Sequence, residues 1–334
     1  MRSAPTDLDV GEIEQALVDG WDVRVASIAY VPEGGGSHHW QIIDDRGAAH
    51  FVTVDDLDDK GWIGTVRDTV CVGLEAALRT SLVLRAQEGL DFVLPPVPTN
   101  REDVLRRIND RYTVSVFPYL RGTSHPFGPY ADLALRVRAL DMVAALHSRT
   151  EPVLELAPSH DGFDGPEDLA AYLDNPDDAW DGGPFAAPAF ALIHRHLPEL
   201  AELVAGFDRL VQASASAWDA TVITHGEPHP ANLLSVDDAV YLIDWDTTAL
   251  APPERDLWLV VADDSDIERY ERASGRRVDR SVLLLYELRW YIGDLDAALR
   301  MFRSPHVDNG DTQRWFEGLA PRLARLPAWL ERLA

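Results

Sequence analysis

The stretch His225-Gly226-Glu227-Pro228-His229-Pro230-Ala231-Asn232-Leu233-Leu234 carries the most chemistry in the chain. It is followed by Tyr241-Leu242-Ile243-Asp244-Trp245-Asp246 and then by Pro252-Pro253-Glu254-Arg255-Asp256-Leu257. Pro228 and Pro230 argue against a helix through the first segment, because proline removes a backbone donor and its ring clashes with the preceding turn. That weighs against reading His225 and His229 as an i, i+4 zinc pair, which needs a helix to bring both rings to one side. What is left is a carboxylate at Glu227, an amide at Asn232 and a second carboxylate at Asp244, on two loops at strand ends. Thr221 to Thr224 and Val240 to Ile243 read as short apolar strands flanking a polar loop. Phosphoryl transfer calls for this donor set. One carboxylate orients the attacking hydroxyl and accepts its proton, and hard oxygen ligands hold the Mg²⁺ that bridges the phosphates.

In order and spacing, the three segments resemble the catalytic loop, metal-binding motif and following segment of the aminoglycoside phosphotransferases and their choline-kinase-like relatives. In that family the loop usually reads H-G-D-x-H-x-x-N. The likeness is strongest over residues 222 to 260 and extends more loosely over the whole chain through lobe order and loop placement. It implies an α+β, two-lobed protein-kinase-like fold. A small strand-rich nucleotide-binding lobe would span residues 1–119, and a larger helical lobe with catalytic loop, metal loop and substrate pocket would span 120–334. The implied activity is transfer of the γ-phosphate of ATP, with Mg²⁺, to a hydroxyl of a small molecule, GTP staying open as donor. Carried over by position, Glu227 falls where the catalytic base would be, and Asn232 and Asp244 where Mg²⁺ ligands would be. His225, the other member of the catalytic loop, would brace it by hydrogen bonding. Asp246 would lie beside the metal or near the substrate. Asp256 would cap the following helix and hold the loop.

The resemblance has two departures. Glu227 stands where aspartate is usual; its charge is the same at neutral pH and its carboxylate reaches about one methylene further. With Pro228 and Pro230 fixing the local backbone, it reads as a tolerated variant. The family's third-strand lysine is also missing. The strand reads His50-Phe51-Val52-Thr53-Val54, with Thr53 in the slot whose lysine normally pairs the phosphates and a glutamate of the next helix. Glu75 is the expected glutamate, or else an exposed helix charge. Lys60, the only lysine, lies just past the strand and either folds back onto phosphate or is a solvated loop residue. Arg67 and His38 are alternative carriers of the charge. The turn Gly34-Gly35-Gly36-Ser37 lies between the first two strands, where backbone N–H groups and the Ser37 hydroxyl could meet phosphate. Phe117-Pro118-Tyr119-Leu120 would offer backbone groups to the adenine, with Tyr119 or its neighbours donating because Pro118 cannot. Thr53 and Glu227 also leave open a pseudokinase that binds nucleotide or a small ligand without turnover. The retained Asn232 and Asp244 count against that reading.

The rest of the chain fits a two-part plan. At 334 residues it exceeds the usual single-domain size. Its formal net charge of −26 argues against nucleic acid and anionic membranes as partners and fits a cationic ligand, or simply a solvated acidic surface. The single cysteine, Cys71, precludes an internal disulfide and fits a reducing compartment. Met1 to Val10 lacks an apolar leader, and no apolar run is long enough to span a bilayer, so a cytoplasmic protein is expected. Trp21 to Val31, His39 to Asp44 and His50 to Val54 read as a β-meander, with Asp45-Arg46-Gly47 as one turn. Phe92 to Val97 reads as a short strand or edge, and Tyr112 to Tyr119 as a further strand, followed by a hinge at Leu120-Arg121-Gly122. Val66 to Gln87, Tyr130 to His147, Pro166 to Leu173 and Phe190 to Ala217 read as helices, as does most of the chain after Glu254. In Tyr286 to Asp296, the residues Glu287, Trp290, Tyr291 and Asp294 share one helical face. Carboxylates with aromatics suit an ammonium-bearing acceptor of the aminoglycoside, aminocyclitol or amino-sugar kind. The competing reading puts the aromatics in the core and the acids in solvent. The sequence carries no signal for oligomeric state.

Overall fold

The structure, a computed structural model, describes every residue except Arg2, Asp161, Asp164 and 177–179. In chain order the elements are α1 (Val10–Trp21), β1 (Val25–Val31), β2 (His38–Asp44), β3 (Ala49–Asp56), α2 (Arg67–Ala86), β4 (Arg106–Arg107), β5 (Tyr112–Pro118), β6 (Thr123–Ser124) and α3 (Leu133–His147). Then come α4 (Glu167–Asp174), α5 (Ala186–His194), α6 (Leu197–Ala213), β7 (Val222–Thr224), β8 (Leu233–Val236), β9 (Ala239–Leu242) and β10 (Ala249–Ala251). The chain ends with α7 (Glu254–Val260), α8 (Asp264–Ser274), α9 (Arg280–Arg303), α10 (Gly310–Leu323) and α11 (Leu326–Leu333). Two compact units form: Met1–His160 with Ala220–Val278, and Asp161–Asp219 with Asp279–Ala334. The lobe boundary expected after residue 119 falls inside the first unit, where the chain leaves β5.

The first unit opens with an antiparallel sheet in the order β1-β2-β3-β5-β4. Successive side chains of a strand point to opposite faces, so each strand offers two different surfaces. Trp40, Ile42, Val52, Val54, Val114 and Val116 form one face and pack against Ile13, Ala16 and Leu17 of α1. His39, Thr53, Asp55, Thr113 and Ser115 alternate with them and make the other face polar, with Thr53 opposite Ser115 and Asp55 opposite Thr113. The helix α1 was not expected, and Trp21 closes it rather than opening β1. Its start is written in the sequence as a capping box: Asp9 accepts from the first turn and Glu12 reaches back to the Asp9 backbone.

Phe92 to Val97 forms no strand; Val93 alone bridges Leu242, because Pro95 and Pro96 remove the donors a ladder needs. The expected β7 and β9 are present, but the stretch between them is not all loop. An extra strand, β8, pairs with β9 and with β6, while β7 pairs with β10. The second unit is helical. Its core gathers Tyr172, Phe207, Leu285, Leu299, Phe302 and Trp329. The stretch Phe190 to Ala217 is two helices, α5 and α6, divided before Leu197, with Pro198 in the first turn of α6. Among the described residues no helix is long and apolar enough to cross a membrane.

Candidate active site

Pairing of β7 with β10 brings Thr224 opposite Ala249 and delivers the chain to His225. From α7, the wholly buried Asp256 accepts the His225 N–H at 2.8 Å and the Gly226 N–H at 2.6 Å. It also lies 3.1 Å from His147 Nε2, and His147 Nδ1 lies 2.8 Å from the Tyr270 hydroxyl. Burial works to raise the Asp256 pKa, but His147, with lesser pulls from His225 and Arg255, outweighs it and holds the carboxyl below its ordinary range. Asp256 therefore fastens the loop, as expected. It does not cap α7, whose N-cap is Pro253 and has no side-chain bond. Gly226 has φ +99°, and a Cβ there would sit 2.6 Å from the Arg255 guanidinium, so only glycine fits.

His225 is completely buried and joins two loops. Its Nδ1 accepts the Glu227 N–H at 3.2 Å and its Nε2 lies 3.0 Å from the Ile243 carbonyl, which assigns the proton to Nε2. The ring meets Trp245 edge-on at 4.7 Å. Burial, more than Asp256 can counter, pushes the His225 pKa down to about 4. An unfolded histidine titrates near 6.5, so between about pH 6.5 and 4 the unfolded chain binds a proton that the folded one refuses. Stability should therefore fall on acidification through this window, by up to about 1.4 kcal/mol per pH unit from this residue. Asp256 acts in the same direction lower down: its depressed pKa gives a contribution that is fully present above the unfolded carboxylate range and is lost as pH falls from there through the folded value. Thermal melts from pH 7 to 4.5 would read the slope. His225→Gln should flatten it, and an unchanged slope would show that His225 is not the titrating group.

Glu227 keeps about a third of its side chain exposed (32%), with Oε2 3.5 Å from His229 Nε2. Burial raises its pKa, but His229 first, then His225 and Arg255, bring it below the ordinary glutamate range, so it is a carboxylate at neutral pH. Phe127 stacks edge-on against His229 at 4.9 Å, and the Tyr130 hydroxyl donates to the Pro228 carbonyl at 2.5 Å. Asn232 donates through Nδ2 to the Glu227 carbonyl at 3.0 Å, leaving Oδ1 as its acceptor end. The Ile243 N–H reaches the Asn232 carbonyl at 3.0 Å and closes the base of the β8–β9 hairpin, so Asp244 follows directly. Asp244 adopts φ 69°, a left-handed conformation uncommon outside glycine and typical of constrained functional positions. As a residue Asp244 is exposed, yet its carboxyl is crowded by protein. That desolvation, with the Asp246 and Glu227 carboxylates nearby, pushes its pKa well up. Surplus negative charge around two hard oxygen donors suits Mg²⁺, which takes few protein ligands and completes its shell with phosphate oxygens and water. Among the described residues no three His, Cys, Asp or Glu side chains gather to cage a metal.

Lys60 has no exposed surface. Its ammonium lies 2.8 Å from Asp55 Oδ1, 2.6 Å from Asp246 Oδ2 and 2.9 Å from Ser37 Oγ. Burial disfavours the charge, but Asp246 and Asp55 outweigh it and raise the lysine pKa above its ordinary value. Lys60 thus links the glycine turn, the end of β3 and the segment that carries Asp244 and Asp246, and Asp246 is engaged with it. The other two expected carriers lie elsewhere. Arg67 pairs with Asp58 at 2.7 Å and with Asp110, and His38 meets the Tyr30 hydroxyl at 3.2 Å. Thr53 bonds His39 at 3.2 Å, and Glu75 pairs with Arg79 one turn along α2 at 2.7 Å. Gly34 and Gly36 take positive φ in the expected turn, whose middle glycine is Gly35. The Ser37 hydroxyl, however, points inward and donates to Asp55 at 2.7 Å rather than facing a ligand. Pro118 makes the last rung of the ladder with His50, so Tyr119 and Leu120 lie just past the sheet.

The expected acceptor face on α9 is corrected. Glu287 is held by both guanidinium nitrogens of Arg332, at 2.9 and 2.5 Å, and Asp294 by Arg322 at 3.0 Å. Tyr291 is buried, stacked on Trp329 at 5.3 Å, with its hydroxyl donating to the Arg322 carbonyl. Trp290 is half-buried on the same helix. The two acids carry arginine partners and the tyrosine belongs to the core, so this face offers no uncompensated charge to an ammonium.

The chain is similar in sequence and in fold to known phosphotransferases. A sequence profile described as the phosphotransferase enzyme family matches residues 73–286. Protein StrN of Streptomyces griseus is 30% identical over 267 residues, covering 77% of this chain and 79% of StrN. The structure of spectinomycin phosphotransferase APH(9)-Ia with ADP and spectinomycin superposes with a TM-score of 0.70 at 15% identity, over 96% of this chain and 99% of that one. Macrolide 2'-phosphotransferase MphH from Brachybacterium faecium superposes with a TM-score of 0.51 at 17% identity, over 94% and 97% of the two chains. At such identities these structures establish a protein-kinase-like α+β fold. With the profile and the StrN likeness each spanning well over half of its residues, the chain belongs to the phosphotransferase enzyme family, whose members are small-molecule kinases and phosphotransferases with hydroxyl acceptors.

Proposed function

We propose that the protein transfers the γ-phosphate of ATP, bound with Mg²⁺, to a hydroxyl of a small cationic acceptor of the aminoglycoside, aminocyclitol or amino-sugar kind. The observation that carries this reading is the joint of the two loops. Asn232 bonds the Glu227 carbonyl by its side chain and Ile243 by its backbone, which couples a carboxylate base to two metal-type oxygen donors. In the transfer the acceptor oxygen bonds to the γ-phosphorus as the bond from that phosphorus to the ADP oxygen breaks, and the hydroxyl proton passes to Glu227. Asn232 and Asp244 would hold Mg²⁺, which supplies charge neutralisation at the phosphates when bound. Residues 1–119 would form the nucleotide lobe, with Gly34, Gly35 and Gly36 covering the phosphates and Tyr119 and Leu120 meeting the base; residues 120–334 would form the second lobe. The net charge of −26 would favour encounter with a cationic acceptor. The spectinomycin bound in the spectinomycin phosphotransferase structure supports a small-molecule acceptor of this kind.

Calorimetric titration with ATP and GTP, with and without Mg²⁺, tests the donor side. ATP should bind in a Mg²⁺-dependent manner, and Asp244→Asn should lower the Mg²⁺-dependent affinity on the order of tenfold or more. Mg²⁺-independent binding, or none, would sink the assignment of these two residues.

A further inference from the structure

Of the 30 lysine and arginine positions in the chain, all but Lys60 are arginine. The exception is not a surface residue free to be either. Its side chain is fully enclosed, and the three hydrogens of its ammonium match three acceptors: Asp55 Oδ1, Asp246 Oδ2 and Ser37 Oγ. A guanidinium is planar and larger and would not fit three converging acceptors in that space. Asp55 lies two residues after Thr53 on β3, so both belong to the polar face of the sheet. The helix acid Glu75 is committed to Arg79.

We propose that Asp55 is a positioning residue which, with Ser37, holds Lys60 as the phosphate-contacting cation, replacing a strand lysine and helix glutamate, and that Asp246 releases Lys60 to the phosphates when nucleotide binds. This rests on the nucleotide reading above. The two carboxylates differ in a way that assigns their parts. The Asp55 side chain is 3% exposed and fixed in register opposite Thr113 in a central strand pair, whereas that of Asp246 is 14% exposed and sits on the loop two residues past Asp244. The first is a permanent anchor and the second an exchangeable partner. Ser37 carries the coupling into the glycine turn, since its hydroxyl donates to Asp55 and accepts from Lys60.

A single lysine makes the test clean. An ATP analogue bearing an acyl group on its γ-phosphate transfers that group to a nearby amine: the acyl–oxygen bond breaks, an amide forms at Nζ, ATP leaves and a proton is released. In the wild-type protein, peptide mapping should find the acyl group on Lys60, blocked by excess Mg-ATP. In Asp55→Asn, with the fold checked by circular dichroism, labelling should slow about tenfold and ATP and ADP should bind about tenfold more weakly. Adenosine, which has no phosphate, should bind as before. Lys60→Arg should behave as Lys60→Met. The proposal is overturned if wild-type protein binds Mg-ATP but Lys60 stays unmodified. It is also overturned if Asp55→Asn weakens ATP and adenosine equally, which would mean a merely structural part. If wild-type protein does not bind Mg-ATP, the nucleotide reading itself fails and takes this proposal with it.

Discussion

Replacing Glu227 with glutamine is expected to lower the rate of phosphate transfer by about 10²–10⁴-fold while leaving Mg-ATP affinity unchanged. The amide keeps the shape and the neighbours but cannot accept the hydroxyl proton. The carboxylate it replaces is partly open to solvent and held ionised by His229, as a base needs to be. Glu227→Asp is the informative companion. The loop is set by Pro228 and Pro230, by the Tyr130 bond to the Pro228 carbonyl and by Gly226 against Arg255. Drawing the carboxylate back by more than about 1 Å in a fixed loop should cost about a hundredfold, even though aspartate is usual in this family. Steady-state kinetics of both variants would check this. A fully active Glu227→Gln would remove Glu227 as the base.

Asp256→Ala should be the most destabilising single change near the site, by about 3–5 kcal/mol. It leaves two buried N–H groups, of His225 and Gly226, without an acceptor and deprives buried His147 of its anion. Asp256→Asn should recover part of the loss, since its amide oxygen can still accept one of the two bonds. Urea unfolding of the three proteins would measure the series, and wild-type stability in Asp256→Ala would refute the bracing role.

How much of this was legible in the sequence depended on whether a residue's meaning is local. The Glu227, Asn232 and Asp244 spacing and the meander are local patterns, and both were read. The capping box at Asp9 and Glu12 was also local and could have revealed α1; the strand-rich look of the flanking sequence obscured it. Strands β4 and β6 have two residues each and give no periodicity to detect. Asp55 and His147 were missed for a different reason. An acid ending an apolar strand and a histidine ending a helix look ordinary until tertiary burial supplies their partners, Lys60 and Asp256. The converse error occurred on α9, where helical spacing correctly put aromatics and acids near one another. It could not show that Arg322 and Arg332, some 28 and 45 residues downstream, would neutralise the acids.

The most direct measurement is transfer of phosphate from γ-labelled ATP, with Mg²⁺, across a panel of aminoglycosides, aminocyclitols, amino sugars and choline-like alcohols, run beside Glu227→Gln. On the phosphotransfer reading, at least one cationic acceptor becomes a phosphate ester with the wild-type protein and the product falls to background in the variant. Binding of Mg-ATP with no transfer to any acceptor on the panel, or equal product from both proteins, would contradict it.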